Sequence, residues 1–307
     1  MNPLRQALVD YLSLRRSLGY ALQRPEKLLN QFLDYLEERN AAVITTDLAL
    51  AWARLPQDAS ALWWAHRLTV VRGFAAYLHV LDEAHEAPAT DVLPWKSHRA
   101  NPYLYTDGEI AALIAATATL RFPLRVATYQ TLIGLLAVTG MRVGEVIALD
   151  VDDFDAERGV LLIRHAKGGG ARQLPLHPST TAAVLTYLQR PDRRSTAHTT
   201  ALLISPAGTR LLYCNIQWTF QKLLRQAGIG PRSSSCRPRI HDVRHSFAVS
   251  SLLDAYTGDL DIDRRLTLLA TYLGHRSPAG TYWYLSAAPE LLAAALHRLD
   301  HKDEDRS

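Results

Sequence analysis

The chain has little cysteine, no long apolar run and no complete nucleotide- or metal-binding signature, and each absence removes a class of function. Only Cys214 and Cys236 occur. Two cysteines without metal-ligand spacing read as reduced thiols of a cytoplasmic protein, not as a disulfide framework. No window holds the run of about 20 apolar residues that a membrane span needs, so no membrane association is expected. The start, MNPLRQALVDYLSLRRSLGY, is charged and helix-patterned, unlike a secretory signal. The glycines at 168–170 lack the GK[ST] of a P-loop and open no helix, which excludes a nucleotide-binding reading. His241 and His245 stand four apart and could share zinc on one helix face. They lack the glutamate of a zinc-protease motif, however, and no carboxylate lies beside His275. Neither a metal nor any other cofactor is expected. No internal repeat is visible.

What is present suits two ordinary domains: 307 residues, 48% of them hydrophobic, enough for a sizeable soluble core. Lysine and arginine number 34 against 30 aspartates and glutamates. The first hundred positions are balanced and the last eight are acidic, so the basic surplus falls between residues 101 and 299. That agrees with a nucleic-acid partner without demonstrating one.

Residues 1–85 read as helical. LRQALVDYLSLRRSLG carries apolar groups at helical spacing and stops at Gly19, a C-terminal cap. PEKLLNQFLDYLEERN repeats the pattern with Pro25 in the first turn, a short piece follows Asp47, and SALWWAHRLTVVRGFAAYLHVLD forms a longer helix behind Ser60. On that last helix the bland reading puts Trp63 and Trp64 in the core and Arg67 and Arg72 on a solvated face. Residues 86–104 have several prolines and no apolar period, and read as a linker. Helix resumes behind Thr106 and Glu109, a capping-box spelling. A buried helix runs into Gly140 and another follows at once, so Arg142 lies at their junction.

VLLIRHAKGGGARQLPL then reads as a hairpin with a glycine-rich tip and Lys167 at its mouth. Further helices are expected at 178–189 and 214–227, from His241 to about Tyr256, through DRRLTLLATYLG, around Tyr284 and behind Pro289. The stretch 256–265 reads as a surface loop and 300–307 as a disordered tail.

The chemistry-bearing groups concentrate between residues 238 and 284. A guanidinium offers a fixed fork of donors to phosphate oxygens, imidazole donates or moves protons near neutral pH, and a phenol can be a covalent nucleophile. Taken singly none of these residues is decisive, since a lone histidine on a helix is ordinarily structural and a lysine near a turn is ordinarily solvated. The ordered set is different: GMRVGE at 140–145, Lys167 in a hairpin, HDVRH at 241–245, LGH at 273–275, and Tyr284 nine positions on.

This set resembles the tyrosine recombinase, or phage integrase, family, over the whole stretch 105–299. The ending TYWYLSAAPELL is similar to that of transposon-borne members. The resemblance implies a mostly α fold with a small antiparallel β-sheet: a helical core-binding, DNA-binding domain at 1–85 and a mixed α/β catalytic domain at 105–299. It implies Arg142 and Arg244 as the phosphate-clamping arginines, Lys167 as the hairpin lysine, and His241 and His275 as the two histidines. Tyr284 would be the nucleophile, preferred to the neighbouring Tyr282, and Glu145 the acidic residue that orients an arginine. The implied activity is cleavage and rejoining of DNA through a 3′-phosphotyrosyl intermediate, without metal or ATP. The implied partners are double-stranded DNA and further copies of the chain, a tetramer in synapsis, with partner recombinases left open. Three readings compete: a non-cleaving accessory subunit of the same fold, a relaxing topoisomerase, and a metal-dependent phosphohydrolase using His241, His245 and His275.

Overall fold

Four helices form in the amino-terminal part where the apolar spacing predicts them: α1 (Pro3–Ser17), α2 (Gln23–Glu37), α3 (Thr46–Arg54) and α4 (Ala61–Leu81). They belong to a computed structural model that describes residues 3–93, 101–164, 170–257 and 261–274. Contacts divide the chain into two units, Met1–Arg99 and Ala100–Ser307. Local chemistry sets the helix ends. Thr45 caps α3 by accepting from the Leu48 N–H, and Ser60 caps α4 by accepting from the Trp63 N–H. Gly19, at φ +86°, takes the chain out of α1. Leu29, Phe32, Leu33 and Leu36 of α2 meet Trp52, Leu68 and Phe74 in the core.

Two expectations for this unit change. Arg67 is not on a solvated face: it is buried, lies 3.7 Å above the Trp52 ring and donates to the Trp52 carbonyl at 2.8 Å. A long apolar stem and a flat cation let arginine pack on an indole where a smaller ion would not. Arg72 is half-buried and donates to the Pro88 and Ala89 carbonyls at 2.6 and 2.7 Å. Those bonds hold part of the stretch read as a linker. The Ile44 N–H donates to His85 Nδ1 at 3.1 Å, the Thr46 N–H to the Glu86 carboxylate at 2.8 Å, and Leu93 is buried in the same core. Pro88 breaks the helical period within 86–93 but leaves its carbonyls available as acceptors. At the far end Tyr103 is buried in the second unit's core.

The second unit opens with α5 (Asp107–Ala116), whose Thr106–Glu109 capping box forms as predicted. Helix α6 (Pro123–Thr139) is packed by α5, α8 (Pro178–Gln189) and α11 (Asp242–Thr257). The short α7 (Val143–Ala148) follows α6 directly. A small antiparallel sheet, in the order β1-β2-β3, comes from β1 (Phe154–Asp155), β2 (Val160–Ile163) and β3 (Arg172–Pro175). Ile163 pairs with Arg172 and Leu161 with Leu174, so alternation sends Leu161, Ile163 and Leu174 into the core. Lys167 lies in the part of this hairpin outside the described residues.

One further helix, α9 (Pro191–Thr196), was not expected; Pro191 opens it at the position where a missing N–H costs nothing. After it α10 (Tyr213–Gln226) buries Ile216, Phe220, Leu223 and Leu224. Finally, α12 (Ile262–Leu273) packs on α11. Helix therefore occupies both ends of the stretch expected as a surface loop, 256–265. Helix α11 runs through Thr257, and the Asp261 side chain caps α12 by accepting from the Arg264 N–H at 3.1 Å. The mostly helical fold with a small antiparallel sheet agrees with the expectation.

Candidate active site

Glycine lets three chain segments meet at one place. Gly140 ends α6 in the left-handed region, φ +58°. A Cβ there would lie 2.4 Å from Cδ1 of Phe247 on α11, so a side chain would push the two helices apart. Gly274 ends α12 at φ +66°, and its Cβ would lie 2.9 Å from Nη1 of Arg172. The Leu-Gly pair before His275 thus has a physical reason: a bare main chain is needed where a guanidinium presses on the helix end.

Arg142 leaves the α6–α7 junction with extended backbone, ψ 143°. Its N–H donates to Glu145 Oε2 and its Nη1 to Oε1, both at 2.9 Å. Its fork then reaches α12, with Nη1 3.5 Å from the Leu273 carbonyl and Nη2 3.2 Å from that of Gly274. Arg244, 2% exposed, donates from Nη2 to the same Leu273 carbonyl at 2.7 Å and from Nη1 to the Gly140 carbonyl at 2.8 Å. Both predicted phosphate-clamping arginines therefore converge on the residues that immediately precede His275. The carbonyls they engage belong to helix ends, whose last acceptors have no partner within the helix.

Sequence reasoning missed a third arginine. Arg172 on β3 forms a bidentate pair with Glu145, Nη1 to Oε1 at 3.0 Å and Nη2 to Oε2 at 2.7 Å, and its Nε donates to the Tyr272 carbonyl at 2.8 Å. The signal was there. Arg172 and Leu174 fall on one face of a strand whose Leu174 is buried, and an arginine turned toward a core needs an anion. Burial pushes the Glu145 carboxyl up, but the Arg172 pair and the Arg142 N–H and guanidinium outweigh it, holding the group below its ordinary range.

His241 stands exposed just ahead of α11, three residues before Arg244, with its ring 4.9 Å from that of His245 and edge-on to it. Asp242 between them is fully buried and accepts from the Arg239 N–H and Nε, each at 3.0 Å, and from Nη2 at 2.9 Å. Burial raises its pKa against the opposing pull of Arg239. These bonds fix the start of α11 and hence the direction of Arg244. Arg142, Glu145 and Arg244 are thus brought together, with His241 at the head of the same helix. Lys167, His275, Tyr282 and Tyr284 lie outside the described residues.

Among the described residues, two of the three guanidiniums share one carboxylate and the third bonds to neutral carbonyls. Positive charge exceeds negative there, and the forks present donors in the geometry that suits a phosphate or carboxylate.

Known proteins resemble this chain in sequence and in fold. Residues 104–290 match the phage integrase family. Over its full length the chain is 40% identical to a protein of Sinorhizobium fredii (strain NBRC 101917 / NGR234) described as "Putative integrase/recombinase y4rB", covering 100% of both chains. It is 32% identical to the tyrosine recombinase XerC of Alcanivorax borkumensis over 71% of this chain and 66% of that one. Among solved structures, a lambda integrase tetramer bound to a Holliday junction is similar in fold, with a TM-score of 0.60 at 17% identity, covering 92% of this chain and 76% of that one.

Proposed function

Because the chain belongs to the phage integrase family of tyrosine recombinases, we propose that it is a site-specific integrase that cuts and rejoins DNA strands through a covalent 3′-phosphotyrosyl link. One observation carries this reading: Arg142, from the α6–α7 junction, and Arg244, from α11, share the Leu273 carbonyl two residues before His275. A diester lodged there would meet two forks already aimed at a common point. The pentacoordinate state carries more charge on its non-bridging oxygens than the ground-state diester does. Fixed guanidiniums therefore stabilise it more and lower the barrier.

In this reading the Tyr284 oxygen attacks phosphorus, forming the O–P bond while the bond to the 5′-oxygen breaks. Lys167 supplies the proton that the departing oxygen takes up, His241 assists proton transfer and orientation, and His275 joins the arginines on the non-bridging oxygens. The diester energy stays in the phosphotyrosyl bond, so rejoining needs no ATP. Tyr284 is preferred to Tyr282 as the nucleophile. The helical unit, covering 1–85 in this assignment, would grip DNA, and the unit of 105–299 would cleave it. The active assembly would be several copies on double-stranded DNA, as the tetrameric lambda integrase suggests, in the service of a mobile element.

The test is covalent capture. Nicked duplexes with a randomised 30-bp core are incubated with the protein, and DNA that stays attached after denaturation is sequenced. Wild type should yield one family of cores with protein on the 3′ end, and Tyr284→Phe should yield none while retaining DNA affinity. Binding should weaken steeply with salt, because phosphate contacts release counterions. DNA binding with no covalent product would favour the non-cleaving subunit, and capture without sequence preference the topoisomerase.

A further inference from the structure

The guanidinium of Arg172 lies between two parts of the site that no continuous stretch of chain connects. On one side it holds both oxygens of Glu145, the carboxylate that orients Arg142. On the other its Nε holds the Tyr272 carbonyl, two residues before Gly274. Its side chain is 12% exposed and that of Glu145 only 5%, so the pair is shielded from water on both sides.

From this geometry we infer that Arg172 is a positioning residue for strand cleavage, setting Arg142 through Glu145 and at the same time seating the end of α12 that leads into His275. The inference rests on the recombinase reading and adds a residue to it.

Three features support a positioning role beyond simple packing. The pair is bidentate, so it fixes the orientation of the Glu145 carboxylate plane as well as its place. Arg142 Nη1 bonds to Oε1, the oxygen that also receives Arg172 Nη1, so rotating the carboxylate moves both cations together. Gly274 has no Cβ where Arg172 would collide with one, so backbone and side chain fit as a set. A lysine could supply the charge but not the two parallel bonds together with a third to a carbonyl. Arg172 also starts β3, so a single side chain ties the sheet, α7 and α12 to one another.

The test uses the full chain and a duplex recovered from the randomised nicked library by wild-type capture. Single-turnover cleavage at saturating DNA is measured for wild type, Arg172→Lys and Arg172→Gln, each normalised to folded protein. Arg172→Gln should slow cleavage by about 10- to 100-fold, the cost of small misplacements in a preorganised site, with DNA affinity within about threefold. Arg172→Lys should recover part of that loss. The acid side of the rate profile should move to higher pH in Arg172→Gln. Without its cation, the buried Glu145 protonates more readily and releases Arg142. The charged groups facing Glu145 are Arg142 and Arg172, while Asp153 and Arg164, paired with each other, and Asp150, paired with Arg210, border the same small cavity.

A purely structural role would lower the melting temperature and leave rate and profile per folded molecule unchanged. That result, or an Arg172→Lys enzyme equal to wild type in rate and profile, would overturn the inference. If Arg172→Gln does not fold, Arg172→Lys alone decides by its rate and its acid limb. Failure of wild type to capture any duplex would count against the recombinase reading itself, a different outcome from a wild type that cleaves beside an unimpaired variant.

Discussion

Three arginines of the helical unit and three of the second unit are held in different ways. In the helical unit guanidiniums lie on aromatic rings: Arg67 is 3.7 Å from the Trp52 centroid, Arg39 3.7 Å from that of Tyr35, and Arg15 4.1 Å from that of Tyr20. Each serves one site, and together they spread over the unit. In the second unit Arg142, Arg172 and Arg244 turn to carbonyls at helix ends and to a shared carboxylate, all within reach of residues 272–274. A cation laid on a ring, as Arg67 is on the buried Trp52, adds to packing, while cations gathered on few anions leave attraction for another one. Composition alone does not separate the two uses; position does.

Substitutions can break that contrast. The largest effect is expected for Arg244→Ala, which removes a buried fork from the cluster. Cleavage per folded molecule should fall by about 100- to 1000-fold, the range for losing one preorganised donor, in the same single-turnover assay. Next comes Gly140→Ala. A methyl 2.4 Å from Cδ1 of Phe247, on a backbone at φ +58°, should destabilise the second unit by about 1–3 kcal/mol in urea unfolding followed by far-ultraviolet circular dichroism.

On the other side of the comparison, Arg67→Met keeps the stem but removes the shorter of the Trp52 carbonyl's two hydrogen bonds, leaving the one from the Leu55 N–H, and takes the cation off the Trp52 ring. It should cost the helical unit about 1–2 kcal/mol by thermal melting, with cleavage per folded molecule unchanged. A loss of rate there would mean that dispersed arginines also reach the chemistry. The smallest effect concerns acid. Glu145 has a folded pKa below its ordinary 4.5, so its contribution to stability is full above that value and disappears as pH falls through the lower folded one. Glu145→Gln should flatten that part of the stability–pH curve, measured from pH 6 down to 3.

Much of this was legible in the chain because short-range chemistry decides it. Thr106 with Glu109, Ser60 before an apolar run and Gly140 after one are local signals, and they set real helix ends. Arg142, Glu145 and Arg244 were legible as a family pattern, and the structure adds that the two arginines meet at Leu273 while Glu145 holds Arg142. The misses share a cause. Arg67 and Arg172 find their partners 15 and 27 residues away, and nothing adjacent in sequence announces a ring or a carboxylate at that distance. The short α12 cap at Asp261 was missed for the opposite reason: a polar run that looked like a loop contained a helix start.

The end of α12 is gripped through oxygens that every amino acid possesses. The cluster therefore does not depend on which side chains occupy positions 272 and 273. Those two remain answerable to their own surroundings, Leu273 buried and Tyr272 lying against Phe247 at 5.7 Å. Drift at either position can alter packing without retuning the cationic centre, whereas the unadorned position that follows has no such latitude.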